Sequence, residues 1–494
     1  MSAVSLFCLV VAYFVLLLAV AWRTSRHADN ASFFIGNRRS NWMVVAFGMV
    51  GTTLSGVTFI SVPGAVGAGG FGYLQVILGY VLGYIAVALI LLPLYYRLQL
   101  TSIYHYLDLR LGGGAYRSGS AFFILSRLLS ASARLYLVVH ILHITLLDGM
   151  GVPFWLTTVA ILAMIMLYTF QGGVKTIVWT DTLQTAGMIV GLLACAGWLL
   201  HALGIGPVES LARLHDAGLT RWITSDTDSP ANVWKQVLAG FFIVLAMTGM
   251  DQETMQKNIS IKTLRDAQKN MLVLTVILTA VLVLFMFLGG LLSLYAQSAG
   301  LAASGDKLFP AVVMGHMPAV LQLLFFIGLV SALFPSADGA MTALTATFSL
   351  DILGIERRPD LDEAHRVRIR HRVHLAFCAL FLLLVLLFKW IDNASMVGLV
   401  LKLTGYTYGP LLGLFAFGLL TQRAVRNRWV PWVALAGPAL CYVVDVNQAA
   451  LFAHYRIGLE LLVLNAALVF IGLLLISTPR QATRLAVSSS TIRL

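Results

Sequence analysis

Thirteen stretches of this chain are each apolar over enough residues to cross about 30 Å of hydrocarbon, and no other feature restricts its folding so strongly. They lie near Val4 to Trp22, Trp42 to Val62, Tyr73 to Tyr96, Ser120 to Leu147, Phe154 to Phe170, Ile177 to Leu200, Val233 to Met255, Met271 to Ala296, Val320 to Leu353, Val373 to Ile391, Met396 to Leu420, Val430 to Val446 and Ile457 to Ile476. In lipid the backbone must satisfy its own hydrogen bonds, and a helix does so within one segment. With 59% hydrophobic and 11% charged residues among 494, and a mean hydropathy of +0.88, the sequence predicts an all-α polytopic membrane protein of about 13 transmembrane helices.

An odd number of spans places the two termini on opposite sides. The first span carries an Ala19-Val20-Ala21 sequence like a cleavage site, yet no positive charge precedes it, and Arg23 and Arg26 follow it. A secretory signal has the reverse polarity, so an uncleaved helix with its N-terminus outside is expected, and a cytoplasmic C-terminus with it. In that orientation 24 of the 33 Lys and Arg fall in inner segments, 5 in outer ones and 4 within spans, as the positive-inside rule requires. The net charge of +12 then reflects orientation and calls for no nucleic acid, although Arg366, Arg368, Arg370 and Arg372 are placed to meet anionic lipid heads. Cys8, Cys195, Cys378 and Cys441 lack metal-ligand spacing and read as packing residues.

No soluble domain is expected. Residues 1–40 form an extra helix and a basic inner loop, 41–203 a first five-helix unit, 204–231 an outer loop, 232–421 a second five-helix unit, and 422–494 two more helices with a short inner tail. Five is odd, so consecutive five-helix units sit in opposite orientation, which is the geometry of an inverted repeat. Two of the spans are interrupted. Gly51-Thr52-Thr53-Leu54-Ser55-Gly56 breaks the first helix of the first unit, and Phe334-Pro335-Ser336-Ala337-Asp338 sets a proline and a carboxylate inside another. Polar breaks survive at membrane depth where they are buried in protein or line a water-filled path. The pair points to a protein that binds and moves a solute, although small residues in the first break also suit close helix packing.

Four stretches resemble the sodium/solute symporters, a family that includes bacterial proline, galactose and sialic acid transporters. They are Gly48 to Gly56 with Val62-Pro63-Gly64, then Gln171-Gly172-Gly173 with Thr180-Asp181 and Gln184, then Asp251-Gln252 with Gln256, and Gly328 to Ala332 running on to Asp351-Ile352. The resemblance covers most of the chain. It implies the inverted-repeat fold first seen in a leucine transporter and inward solute transport driven by sodium, with sodium as a transported ion and no organic cofactor. It also implies a sodium site built from carbonyls at Gly51, Leu54 and Ala332 and from hydroxyls at two adjacent positions, here Pro335 and Ser336, with Asp181 nearby. One of those hydroxyls is therefore missing. Proline has no N–H, so the carbonyl of Ser331 loses its helical partner, and a hard cation accepts that oxygen as readily as a hydroxyl.

Further candidates follow from position. Thr53, Ser55, Thr58 and Phe59 lie at the first break, where a solute binds in an inverted-repeat transporter. Asp251 occupies the later part of the equivalent helix of the second unit, beside Thr248 and Met250, and Lys402 sits in the last core helix with Thr404 and Tyr406. Arg127 and Arg134 are seven residues apart and share a helix face. An arginine at membrane depth faces a cavity or a partner, and Arg134, the deeper one, is a candidate to hold a substrate carboxylate in bidentate fashion. Arg134 and Lys402 together favour an acidic solute. Pro335 and Asp338 are candidates for coupling or gating, and Asp181 with Asp338 offers either a cation release path or a proton site.

The expected function is secondary active symport of sodium with a small organic solute. The alternatives are proton coupling through Asp181 and Asp338, an uncoupled channel, or a transport-like sensor. The expected partners are the solute and the lipid bilayer of the inner membrane, with no obligate protein partner evident. An enzyme is the least favoured class, because no nucleotide loop, zinc-ligand set or nucleophile elbow is present.

Overall fold

The computed structural model describes residues 11–20, 22, 40–391, 396–452 and 454–479. The basic inner loop expected before Asn41 and the C-terminal tail therefore lie largely outside the described residues. In chain order the helices are α1 (Val11–Val20), α2 (Trp42–Thr53), α3 (Gly56–Gly69), α4 (Tyr73–Arg97), α5 (His105–Leu111), α6 (Gly113–Leu142), α7 (Phe154–Leu203), α8 (Pro207–Asp216) and α9 (Val233–Gly249). They continue as α10 (Gln252–Ile259), α11 (Leu264–Ser298), α12 (Leu308–His316), α13 (Ala319–Thr347), α14 (Glu363–Ile391), α15 (Met396–Thr407), α16 (Gly409–Leu420), α17 (Val430–Val446), α18 (Gln448–Phe452) and α19 (Leu461–Leu475). Two short strands, Ala424–Val425 and Ser477–Thr478, pair antiparallel.

Seven helices among the described residues are long and apolar enough to span alone, and the three bent helix pairs raise that number to ten; three shorter apolar helices, Val11–Val20, Phe154–Leu167 and Leu461–Leu475, fall in further expected spans. The expected spans from Phe154 and from Ile177 both fall within α7.

The bends locate the functional middle of the molecule. Between α2 and α3 the axis turns by 59°, between α9 and α10 by 63°, and between α15 and α16 by 46°. In the first break the Thr53 hydroxyl turns back to the Met49 carbonyl at 2.8 Å, and Leu54 (ψ 91°) and Ser55 (ψ 170°) leave the helical region. A β-carbon at Gly56 would lie 2.1 Å from Val138 of α6, so only glycine lets the chain restart there so close to its neighbour. In the second break Asp251 is extended and caps α10 by accepting the Thr254 amide at 3.2 Å. At the third, Pro410 stands in the first turn of α16, where a missing N–H is tolerated.

α13 packs along α7, α2 lies on α7, and α9 crosses α4. That last crossing is made by two glycines: a β-carbon at Gly79 would meet the Val237 carbonyl at 2.2 Å, and one at Gly240 the Val76 carbonyl at 2.4 Å. Small residues let helix backbones approach in lipid, where apolar surface gives no drive to associate. α13 runs as a helix straight through Pro335.

One expected loop behaves differently from its sequence. The outer segment after His201 contains α8, which buries Ser210 and Leu214 and exposes its charged face. Asp351, near the end of the expected span from Val320 to Leu353, is buried and accepts hydrogen bonds from Ser102 and Tyr116, both at 2.7 Å.

Candidate functional site

A cavity of about 110 Å³ opens at the α2–α3 break. Thr52, Thr53, Leu54, Ser55 and Thr58 form its floor, Tyr73, Tyr80 and Tyr84 of α4 one wall, and Arg127 and Arg134 of α6 another. The Tyr73 and Tyr80 hydroxyls lie 3.1 Å apart, and Met247 and Thr248 of α9 close the far side. Arg127 is committed: it pairs with Glu253 and stands 3.7 Å from Asp251. Arg134 makes no salt bridge among the described residues, so its guanidinium is the cationic group the cavity has to offer. Seven hydroxyl-bearing residues of the floor and α4 line the same space, which fits a small organic molecule.

Of the residues expected to contact solute, Thr53, Ser55, Thr58 and Arg134 line this cavity, whereas Phe59, Asp251 and Lys402 are placed elsewhere. Phe59 points the other way, into an aromatic cluster with Phe285, Phe309 and Phe325 at centroid distances of 5.5 to 5.8 Å. Asp251 is fully buried behind Arg127, where it caps α10 and accepts the Tyr408 hydroxyl at 2.9 Å. Lys402 is 58% exposed and pairs with Asp445 of α17 at 2.8 Å, with Tyr406 bonded to the same carboxylate. The pair of buried cations expected from Arg134 and Lys402 is thus Arg134 with Arg127, and Arg127 is already neutralised.

Behind the break the structure brings α2, α7 and α13 together. The Gly51 amide donates to the Thr185 hydroxyl at 3.0 Å, and a β-carbon at Gly51 would lie 3.5 Å from the Asp181 carbonyl. A β-carbon at Gly56, just past Leu54, would lie 4.0 Å from the Ala332 carbonyl. Asp181 is fully buried; its Oδ2 accepts the Thr52 hydroxyl at 2.9 Å, and its Oδ1 has no hydrogen-bond partner. A carboxylate oxygen held away from water without a donor is costly, and a small hard cation is a species that would satisfy it. The hydroxyls of Ser331 and Tyr13 of α1 share a hydrogen bond at 2.7 Å, and the Ser331 carbonyl, opposite Pro335, lacks the helical donor a non-proline residue would supply and is an oxygen open to a cation. The Ser336 side chain lies outside the described part of the structure. Asp338 is fully buried on α13 beside α10, and its neighbour Gly339 makes room for Glu253, whose carboxylate would lie 2.1 Å from a β-carbon there.

Sequence reasoning missed Glu253 and Lys257. Lys257 reads as a loop cation after a span ending at Met255, yet α10 buries it to 2% exposure. Its ammonium lies 2.7 Å from Asp181 Oδ2, 2.6 Å from the Thr52 hydroxyl and 3.5 Å from Glu253 Oε1. The available signal was the four-residue spacing of Glu253 and Lys257 on one helix face, directly after an Asp at the second break. Together Asp181, Lys257, Glu253, Arg127 and Asp251 form one buried chain of ion pairs joining α7, α10 and α6.

The fold and the sequence have counterparts among known proteins. A solved sodium-coupled sialic acid symporter, in a substrate-bound outward-open state, superimposes with a TM-score of 0.81 at 19% identity, over 95% of this chain and 97% of that one. The shared architecture is the inverted repeat of the leucine-transporter type. In sequence, the sodium/sialic acid symporter of Aliivibrio fischeri is 23% identical over 476 residues, covering 92% of this chain and 90% of the relative. The sodium-dependent multivitamin transporter of Oryctolagus cuniculus is 26% identical over 398 residues, covering 78% of this chain. The chain spans about six-tenths of the length of the first curated relatives it matches. Residues 33–428, which hold all three breaks, the cavity and the buried ion chain, match the sodium:solute symporter family, and the chain belongs to that family.

Proposed function

We propose that the protein is a secondary active symporter that couples inward sodium movement to uptake of a small organic solute carrying a carboxylate or similar anionic group, by alternating access. The observation that carries this reading is the position of the α2–α3 break. Its non-helical residues lie between a polar cavity holding an unpaired arginine and a buried carboxylate with an open oxygen. On this reading solute and ion bind on two sides of the same few residues, and occupancy of one site bears on the geometry of the other. Related proteins whose names include sialic acid and monocarboxylate transport acids, which agrees with the free guanidinium of Arg134. On this reading the ion is held by the Gly51, Leu54, Ala332 and Ser331 carbonyls, the Ser336 hydroxyl and Asp181, with Pro335 and Asp338 shaping its exit. The protein sits in the inner membrane with its N-terminus outside and functions with no obligate partner.

Purified protein in detergent is expected to gain thermal stability with sodium relative to potassium or choline at constant ionic strength, because a ligand that binds only the folded state stabilises it by mass action. A response identical for the three cations would overturn sodium coupling. In proteoliposomes with an inward sodium gradient, a panel of labelled small carboxylates and their neutral amides is expected to separate, with accumulation confined to acids. Arg134→Gln is expected to reduce uptake of the accepted acid by about 100-fold, because a bidentate charge-assisted contact is lost in a desolvated site. Equal uptake by the variant would remove Arg134 from the solute site.

A further inference from the structure

The chain of buried ion pairs is unbalanced. Its salt bridges set three carboxylates, Asp181, Glu253 and Asp251, against two cations, Lys257 and Arg127, and the next cation, Arg134 of the cavity wall, acts on the Asp251 end, away from Asp181. All five side chains are at most 5% exposed, so the residual negative charge cannot be left to solvent, and a charge in low dielectric calls for a partner. The imbalance is felt at Asp181, whose Oδ1 has no hydrogen-bond partner among the described residues. Lys257 stands at the same residue. Its ammonium is close to Asp181 at 2.7 Å and already within reach of Glu253 at 3.5 Å, on a flexible four-carbon stem that can pass from one to the other.

We infer that Lys257 is a coupling residue, a tethered cation that shares Asp181 with the transported ion and hands over to Glu253 when the ion arrives. This rests on the reading of Asp181 as part of the ion site. A monovalent cation at Oδ1 and the ammonium at Oδ2 repel each other across one carboxylate. The ammonium relieves that repulsion by moving toward Glu253, which loosens the hold of Glu253 on Arg127, a residue of the cavity wall. Ion arrival behind the break is thereby transmitted to the solute cavity through three side chains, without any requirement that the two ligands touch. On the return, the ammonium reoccupies Asp181 and helps expel the ion. Lys257 thus weakens ion binding and speeds release, a trade that a merely structural lysine would not produce.

The test uses the full-length protein and sodium alone as the probe. Sodium half-saturation is read from thermal-shift titrations of the wild type, Lys257→Met and Lys257→Arg, and maximal sodium-driven uptake from proteoliposomes. Lys257→Met is expected to lower the sodium half-saturation by on the order of tenfold, within the usual range of coupled-site effects, while maximal uptake falls. Lys257→Arg, which keeps the charge, is expected to stay near the wild type in half-saturation. Lys257→Gln, which retains a donor toward Asp181, is measured the same way and carries the same expectation should the methionine variant fail to fold. Unchanged or weaker sodium binding in the neutral variants would overturn the role of Lys257 while leaving sodium coupling intact. Absence of any sodium response in the wild type would instead bring down the reading of the ion site itself.

Discussion

Replacing Glu253 with alanine is expected to destabilise the folded protein by about 3–5 kcal/mol, the cost of stranding buried charge. Glu253 is 2% exposed and faces Arg127 on α6 and Lys257 on its own helix. Its removal leaves Arg127 with Asp251 at 3.7 Å as its remaining carboxylate, and the Arg127 Nε is already without a partner. The measurement is the unfolding midpoint in detergent. The comparison is Glu209→Ala, which removes a pair to Arg213 that is about half exposed on both sides. Exposed pairs of this kind contribute up to about 1 kcal/mol. Equal losses from the two substitutions would show that the buried chain does not hold the helices together.

The second large effect is steric. Gly79→Val is expected to cost about 3 kcal/mol, the upper part of the range for overpacking, because the added atoms meet backbone: the Val237 carbonyl at 2.2 Å, the Phe241 amide at 2.7 Å and the Gly240 α-carbon at 2.9 Å. Side chains can swing away from an intruder, whereas a helix backbone moves only as a whole. α9 must therefore shift, and it carries α10 with it across the second break. Gly197→Ala provides the contrast, since a β-carbon there meets nothing within 4 Å, and exchange of a helical glycine for alanine is neutral or stabilising by up to about 1 kcal/mol. Thermal midpoints of the two variants decide the matter, and a Gly79→Val midpoint equal to that of the wild type would mean that α4 and α9 are not locked where they cross.

The spans and the first break were legible because each is written locally. A run of apolar residues, or two glycines and three hydroxyls in six positions, has a physical meaning without reference to the rest of the chain. Thr53, Ser55, Thr58 and Arg134 could be placed for that reason: three belong to the break and one is a charge that cannot face lipid. Lys257 was not legible, because it falls just past Met255, where the apolar span ends and a loop is expected, and its partner Asp181 lies 76 residues away. Lys402 erred in the opposite direction. Its window is apolar and so reads as buried, yet hydropathy does not say which face of a helix meets a neighbour, and Asp445, its partner, belongs to α17, beyond the residues that match the family. Phe59 shows the same limit at smaller scale: the break restarts the helix with a rotation that no periodicity reports, and that rotation turns the ring from the cavity to the aromatic cluster.

The bond between Tyr13 and Ser331 joins residues separated by 318 positions, and beside it Phe14 lies against Phe334 with ring centroids 6.0 Å apart. During synthesis α1 is made 318 positions before Ser331, so this hydrogen bond closes only once α13 has been added. The helix is apolar along its length, including the Phe14 and Leu17 faces it buries. The front of the chain is in this way fastened to the helix that carries Pro335. A fusion partner or truncation at the front of the chain is then felt at Ser331, deep in the molecule, rather than at the end where it was made.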